Sequence, residues 1–293
     1  MQPRHVLLAV VLSIFWGLNF VVITVALTDF PPLFLGVLRF AIAALPALFL
    51  PKPAVRWPML VAIGMTLFVG QFALLFPAMA VGMPPGLASI ALQVQAFITI
   101  GIAAVVLREV PTHRQILGGA VAFAGLVLIA TTVGANGVTV LGLSLALASA
   151  VFWAIGNVLL RRVGNVDMLS MISWLSIVAP LPLLLLSLVL EGPARIGDAV
   201  SHATWLTIGA VLYIAVVSTT FGHAVWGHLL KRYPAATFAP FSLLVPVSGT
   251  LSAALLRGES FGPVRLAGMG LILAGLAVLV VGPRPTPVAP DPG

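Results

Sequence analysis

Apolar residues run in long stretches along this chain, and the polar ones cluster between them with Pro, Gly and charge. That punctuation predicts about ten apolar spans, near residues 6–27, 33–50, 58–80, 86–107, 115–133, 139–160, 168–190, 204–229, 235–256 and 263–281. Each is about long enough to cross a hydrocarbon core of roughly 30 Å as an α-helix. They lack the alternating pattern of barrel strands. The run from Val6 to about Leu27 is too long for a signal-peptide core and precedes no small-residue cleavage site, so it reads as a retained first span. Residues 283–293 form a proline-rich tail without apolar periodicity, expected to be disordered.

Composition narrows the class. Of 293 residues, 61% are hydrophobic and 7% charged, against roughly 25% charged in soluble domains. Too few polar groups exist to cover a water-facing surface. The fold class expected is an all-α integral membrane protein. A net charge of +7 would suggest a nucleic-acid partner in a soluble protein, but here it reads as basic loops held on the cytoplasmic side. With the N-terminus inside, the inner segments hold Arg4, Lys52, Arg56, Arg108, Arg114, Arg161, Arg162, Lys231, Arg232 and Arg284, and the outer ones only Arg195, Arg257 and Arg265. Both termini are therefore expected in the cytoplasm. The absence of cysteine excludes disulfides and thiol chemistry. No phosphate-binding loop appears, so ATP is not the direct energy source, and no cofactor or metal is implied.

An internal repeat carries more information. Pro85 through Leu128 aligns with Pro234 through Val278. Pro85 matches Pro234 and Arg108 matches Arg257; after one inserted residue, Gly258, Glu109 matches Glu259, Gly118 matches Gly268 and Gly125-Leu126 matches Gly275-Leu276. Phe15-Trp16 in the first span corresponds to Phe152-Trp153 in the sixth. The expected organisation is a first five-helix repeat over 1–136, a second over 137–282, and the tail. An odd number of spans per repeat inverts the second, which places a substrate site near the midplane between the halves.

Phe15-Trp16-Gly17-Leu18-Asn19-Phe20, Leu38-Arg39-Phe40, Phe152-Trp153-Ala154-Ile155-Gly156-Asn157 and the Leu-Arg-Glu and Leu-Arg-Gly-Glu ends of spans four and nine resemble the ten-helix EamA-type branch of the drug/metabolite transporter superfamily. Within it the chain looks most like bacterial aromatic amino-acid exporters. The resemblance covers nearly the whole chain and implies ten helices around a central cavity in the bacterial inner membrane.

Polar side chains inside spans are costly without partners, so they mark a substrate path or interhelical hydrogen bonds. Trp16 and Trp153 fall near mid-membrane, where an indole either lines a cavity or packs a core. Asn19 shares a face with Trp16, and Asn157 lies four residues after Trp153. Gln71 is central in span three. Gln93 and Gln95 lie about 200° apart on an α-helix; Gln93, which aligns with Ser242 across the repeat, is the candidate. His223 can bind, gate or carry a proton, or donate to a backbone carbonyl. Arg39 can meet helix-end carbonyls, snorkel outward or bind a substrate carboxylate, with a structural or gating role favoured. Pro240 and Pro246 free carbonyls or kink span nine. Gly118 with Ala122 and Gly270 with Ala274 suit helix contacts.

All seven acidic residues lie at span ends, in loops or in the tail, so the buried first-helix glutamate of small multidrug exporters has no equivalent. The expectation is a secondary transporter exporting amino acids, aromatic or hydrophobic, and related small metabolites, facilitated or weakly coupled through His223. Substrate-binding candidates are Trp16, Asn19, Gln71, Gln93, Trp153, Asn157, His223 and Ser242. The expected partners are a small-molecule substrate and the lipid bilayer, with the chain read as a monomer. A multidrug exporter of lipophilic cations is the alternative. A membrane-embedded enzyme would need a titratable cluster at one depth, and His223 stands alone.

Overall fold

The computed structural model describes residues 1–132, 138–164, 166–230, 232–233 and 239–280, with only the backbone of Leu230, Ala239, Pro240, Leu279 and Val280. All regular structure among them is helical. The apolar helices are α1 (Pro3–Ala26), α2 (Pro32–Leu48), α3 (Trp57–Ala80), α4 (Pro85–Val106), α5 (His113–Ala130), α6 (Val140–Arg161), α7 (Met168–Leu190), α8 (Trp205–Leu229), α9 (Phe241–Arg257) and α10 (Pro263–Val278). Seven are long and apolar enough to cross a membrane; α2, α9 and α10 are shorter. A short polar helix, Pro193–His202, joins α7 to α8 and was not expected from the sequence. The expected boundary at 136/137 and the tail at 283–293 lie outside the described residues.

Helix starts follow from local chemistry. Proline opens α1, α2 and α4, where its missing N–H has no intrahelical partner to lose. Thr112 with Gln115 and Thr204 with Thr207 form capping boxes for α5 and α8, while Thr139 and Asp167 cap α6 and α7. The far ends of α4 and α9 differ in a telling way. After α9 the left-handed residue is Gly258 at φ 63°, and after α4 it is Arg108 at φ 56°. A Cβ in that region is disfavoured by about 1–2 kcal/mol. Arg108→Gly is therefore expected to stabilise the chain by about 1 kcal/mol, read as a melting temperature higher by about 2–4 °C; an unchanged or lower melt would show that the Arg108 side chain offsets the strain.

Several of the described helices depart from α geometry, among them α2, whose Leu45–Leu48 end is 3-10 helix. Met65–Gly70 of α3 and Tyr213–Phe221 of α8 wind as π-helix. Each π segment follows eight α-helical residues that begin with tryptophan, Trp57 or Trp205. Leu92–Val94 of α4 and Ala239–Leu243, which leads into and opens α9, wind as 3-10 helix. The α-helix resumes at Gln95 and Leu244, equivalent positions when Pro85 is aligned with Pro234. π segments inside α-helices occur mostly near functional sites.

Packing ties together helices that lie far apart in the sequence. The helices meet as α1 on α8 and α9, α6 on α3 and α4, α2 on α3, α7 and α8, α7 on α3 and α8, α4 on α9, and α5 on α10. The α5–α10 crossing is glycine on glycine. A Cβ added to Gly118 would lie 2.7 Å from the Gly275 carbonyl oxygen, and one on Gly125 would lie 2.5 Å from that of Gly268. Added to Gly268 it would lie 2.8 Å from the Gly125 oxygen. Gly270, by contrast, has open space beside it, so the Gly270–Ala274 face expected to make contacts is not the packed one.

Carboxylates staple one end of the bundle. Asp29, after α1, accepts from the Thr204 N–H at 3.0 Å and the Thr207 hydroxyl at 2.6 Å, at the start of α8. Glu191, after α7, accepts from the Leu33 and Phe34 N–H groups at 2.7 and 3.1 Å, at the start of α2. Glu259, after α9, accepts from the Gly86 N–H at 2.9 Å, at the start of α4. Free N–H groups and the helix dipole make each start a favourable place for negative charge. Hydrogen bonds from Thr207 and Thr204 lower the Asp29 pKa, whereas burial pushes that of Glu259 up.

Candidate functional site

Trp16 of α1 donates its indole N–H to the Ser218 carbonyl at 2.9 Å, in the π segment of α8. Its ring lies 5.5 Å from that of His223 and 5.2 Å from that of Trp226. Gly222 admits this approach, since a Cβ there would be 2.6 Å from the indole nitrogen. His223 Nδ1 lies 2.7 Å from the Thr219 carbonyl. A carbonyl can only accept, so Nδ1 carries the hydrogen and a neutral ring keeps Nε2 as an acceptor. Of the roles open to His223 from sequence, donation to a backbone carbonyl is thus realised at one nitrogen, and the other is left over. The Trp16 and His223 candidates share one wall.

Thr219 joins that wall to Arg39. Its hydroxyl accepts from Arg39 Nε at 3.0 Å and donates to the Ile214 carbonyl at 2.8 Å. The guanidinium sits 4.2 Å from the centre of the Phe72 ring and 5.4 Å from that of Phe40. Arg39 is 5% exposed, so it does not snorkel outward, and its hydrogen bond goes to a side-chain hydroxyl and not to a helix-end carbonyl. Its Nη1 is buried with no hydrogen-bond partner. Gln71 follows the π segment of α3 and is buried next to Phe72. Asn19 is buried too, with Oδ1 unpartnered.

On the other side of the bundle Asn157 of α6 donates to Gln95 Oε1 of α4 at 2.8 Å. Gln93 is buried in the 3-10 segment without that bond. Gln95 is therefore a polar residue that the sequence reading passed over. The choice between the two rested on the repeat, which aligns Gln93 with polar Ser242 and Gln95 with apolar Leu244. Trp153 packs against the main apolar cluster and makes no ring contact among the described residues. Ser242 lies in the 3-10 segment that opens α9 and is half-buried. Pro246 is buried in the first turn of the α-helical part of α9, where it breaks no α-helical bond of that part, and its carbonyl receives the Ser89 hydroxyl at 3.4 Å. The Pro240 side chain lies outside the described residues.

Thr219 was also missed, because a lone threonine in an apolar run carries no signal of its own. Only the structure relates it to a candidate: Gln71 and Thr219 occupy matching places, fourteen residues after Trp57 and Trp205, which open the two helices that carry π segments.

Comparison with known proteins places these features. The description of the EamA-like transporter family fits residues 4–131 and 140–281. A protein of Salmonella typhimurium (strain LT2), named a probable amino-acid metabolite efflux pump, is 42% identical over 97% of both chains. One of the same name from Escherichia coli (strain K12) is 40% identical over 97% of both. A solved crystal structure covering 96% of this chain and 98% of its own superposes with a TM-score of 0.64 at 19% identity, a likeness of fold.

Proposed function

The chain belongs to the EamA-like transporter family, and from that premise we propose that it exports amino acids and related small metabolites across the bacterial inner membrane by alternating access. The observation that carries this reading is the near-full-length similarity to proteins named as amino-acid metabolite efflux pumps. In this proposal all ten apolar helices span the bilayer, both termini are cytoplasmic, and the end stapled by Asp29, Glu191 and Glu259 faces outward. Residues 1–136 and 137–282 are the inverted halves. Exchanging α1–α5 with α6–α10 maps the major packed pairs onto one another: α1–α8 becomes α6–α3, α1–α9 becomes α6–α4, and α2–α7, α4–α9 and α5–α10 map onto themselves. The glycine crossing obeys the same exchange, Gly118 against Gly275 and Gly125 against Gly268, as a two-fold relation requires. The recurring π and 3-10 breaks add support.

The substrate reads as a zwitterion with an apolar or aromatic side chain, held between the halves. Trp16 and Trp153 give shape. Asn19, Gln71, Gln93, Asn157, His223 and Ser242 offer hydrogen bonds, with Asn19 Oδ1 an acceptor suited to an ammonium group. Purified protein in liposomes loaded with a labelled amino acid is the test, run across the amino acids with and without a pH gradient. Counterflow of several apolar or aromatic amino acids, unaffected by a quaternary ammonium competitor, is the expected result. Trp16→Ala should lower that flux by at least about tenfold, because the mutation opens the wall and frees the Ser218 carbonyl. Transport of cationic drugs alone, or strong proton-driven accumulation, would overturn the reading.

A further inference from the structure

We infer that Arg39 is the anchor for the substrate's carboxylate, through the Nη1 face of its guanidinium; the inference rests on the export reading and names the group recognised at that same site. A guanidinium stays charged, and burying it without a counter-charge is costly. Arg39 is buried, yet the protein supplies it with one hydroxyl, Thr219 Oγ1, and the π-faces of Phe72 and Phe40. Nη1 has no partner at all.

The described carboxylates are each committed elsewhere. Asp29, Glu191 and Glu259 hold helix starts, and Asp167 caps α7. Glu109 pairs with Arg161 at 2.8 Å and Asp198 with His202. None of these six is a counter-ion for Arg39. The position also suits a ligand. Thr219 links Arg39 to His223, and His223 neighbours Trp16, so the guanidinium adjoins the aromatic wall where α1, α2 and α8 meet. The rings exclude water, which strengthens an ion pair formed there. A carboxylate arriving with the substrate completes the pair, while a cationic drug does not. The same residue then separates amino acids from lipophilic cations.

The test compares each amino acid with the amide that keeps the ammonium and side chain but lacks the carboxylate: L-leucine with L-leucinamide, and L-phenylalanine with L-phenylalaninamide. Binding is measured on the purified full chain by thermal protection and by competition for counterflow. Wild-type protein is expected to favour the acids by on the order of 30-fold or more, as fits a charge-assisted bond to a buried cation. In Arg39→Gln that preference should shrink to about threefold or less, with the affinity for the amides holding. Arg39→Lys should keep part of the preference. A wild type that binds acid and amide alike overturns the inference without needing any variant to fold. Equal losses for acid and amide in Arg39→Gln overturn it too, because that is what a merely structural arginine would give. If none of the amino acids binds in either form, the export reading itself fails; if both forms bind alike, only the anchor fails.

Discussion

Oxidising a cysteine pair placed at Gly86 and Ala253 is expected to stop export, and a reductant is expected to restore it. The two positions face each other where the N-terminal part of α4 lies on α9. A Cβ on Gly86 would be 3.1 Å from the Ala253 Cβ, and a disulfide asks for about 3.5–4.5 Å, so the helices need part by only a fraction of an ångström. The other neighbours of that Cβ are the Phe261 ring tip at 2.8 Å and Glu259 Oε2 at 2.9 Å, ends of side chains that can swing away. Closure here is deliberate in its chemistry: Glu259 takes the Gly86 N–H, and Gly249 lies flat against Ser89. Alternating access requires this contact to separate in each cycle. The chain has no cysteine of its own, so the bond formed is unambiguous. Flux in the oxidised double variant should fall to the level of empty liposomes and recover to at least about half on reduction, while either single variant transports throughout. Undiminished flux through the oxidised protein would mean that substrate leaves by another route and that the rocking picture is wrong.

What the sequence carried and what it hid divide along physical lines. Helix positions were legible because hydrophobic length and proline punctuation act locally: Pro3, Pro32 and Pro85 open helices where the apolar runs begin. The matching of Gly118 with Gly268 and Gly125 with Gly275 was also visible in the letters. Their contact pattern was not, since the helix face that packs is decided by a partner far along the chain. Gly270 looked equally suitable and faces open space. The π segments of α3 and α8 have no residue signature, so Thr219 and its link between Arg39 and His223 stayed hidden. Gln95 was set aside because the repeat aligns it with apolar Leu244, which carries no sign of its bond to Asn157. Arg39 was recognised as the intramembrane cation, but its lack of a counter-charge among the described residues emerges only once each described carboxylate has been traced to the group it serves.

Alanine at the glycine crossing should have opposite effects on neighbouring glycines of one helix. Glycine costs roughly 1 kcal/mol relative to alanine in a helix interior, so Gly270→Ala, with nothing nearby to meet the new methyl, is expected to be neutral or stabilising. Gly118→Ala, Gly125→Ala and Gly275→Ala instead drive a methyl into a carbonyl of the facing backbone, which no side-chain rotation can relieve. Overpacking of this sort costs about 1–3 kcal/mol, and helices in lipid have little else than close packing to hold them together. A single alanine should lower the melting temperature of the purified protein by roughly 4–8 °C, at about 2–4 °C per kcal/mol for a chain of this size. Valine or leucine at the same sites should abolish the folded species on size-exclusion chromatography. Gly118→Ala combined with Gly275→Ala should cost less than the sum of the two, because the first methyl already opens the gap that the second fills. Full additivity would place the strain in each helix separately, and a wild-type melt for Gly275→Ala would remove the crossing from among the contacts that hold the helices together.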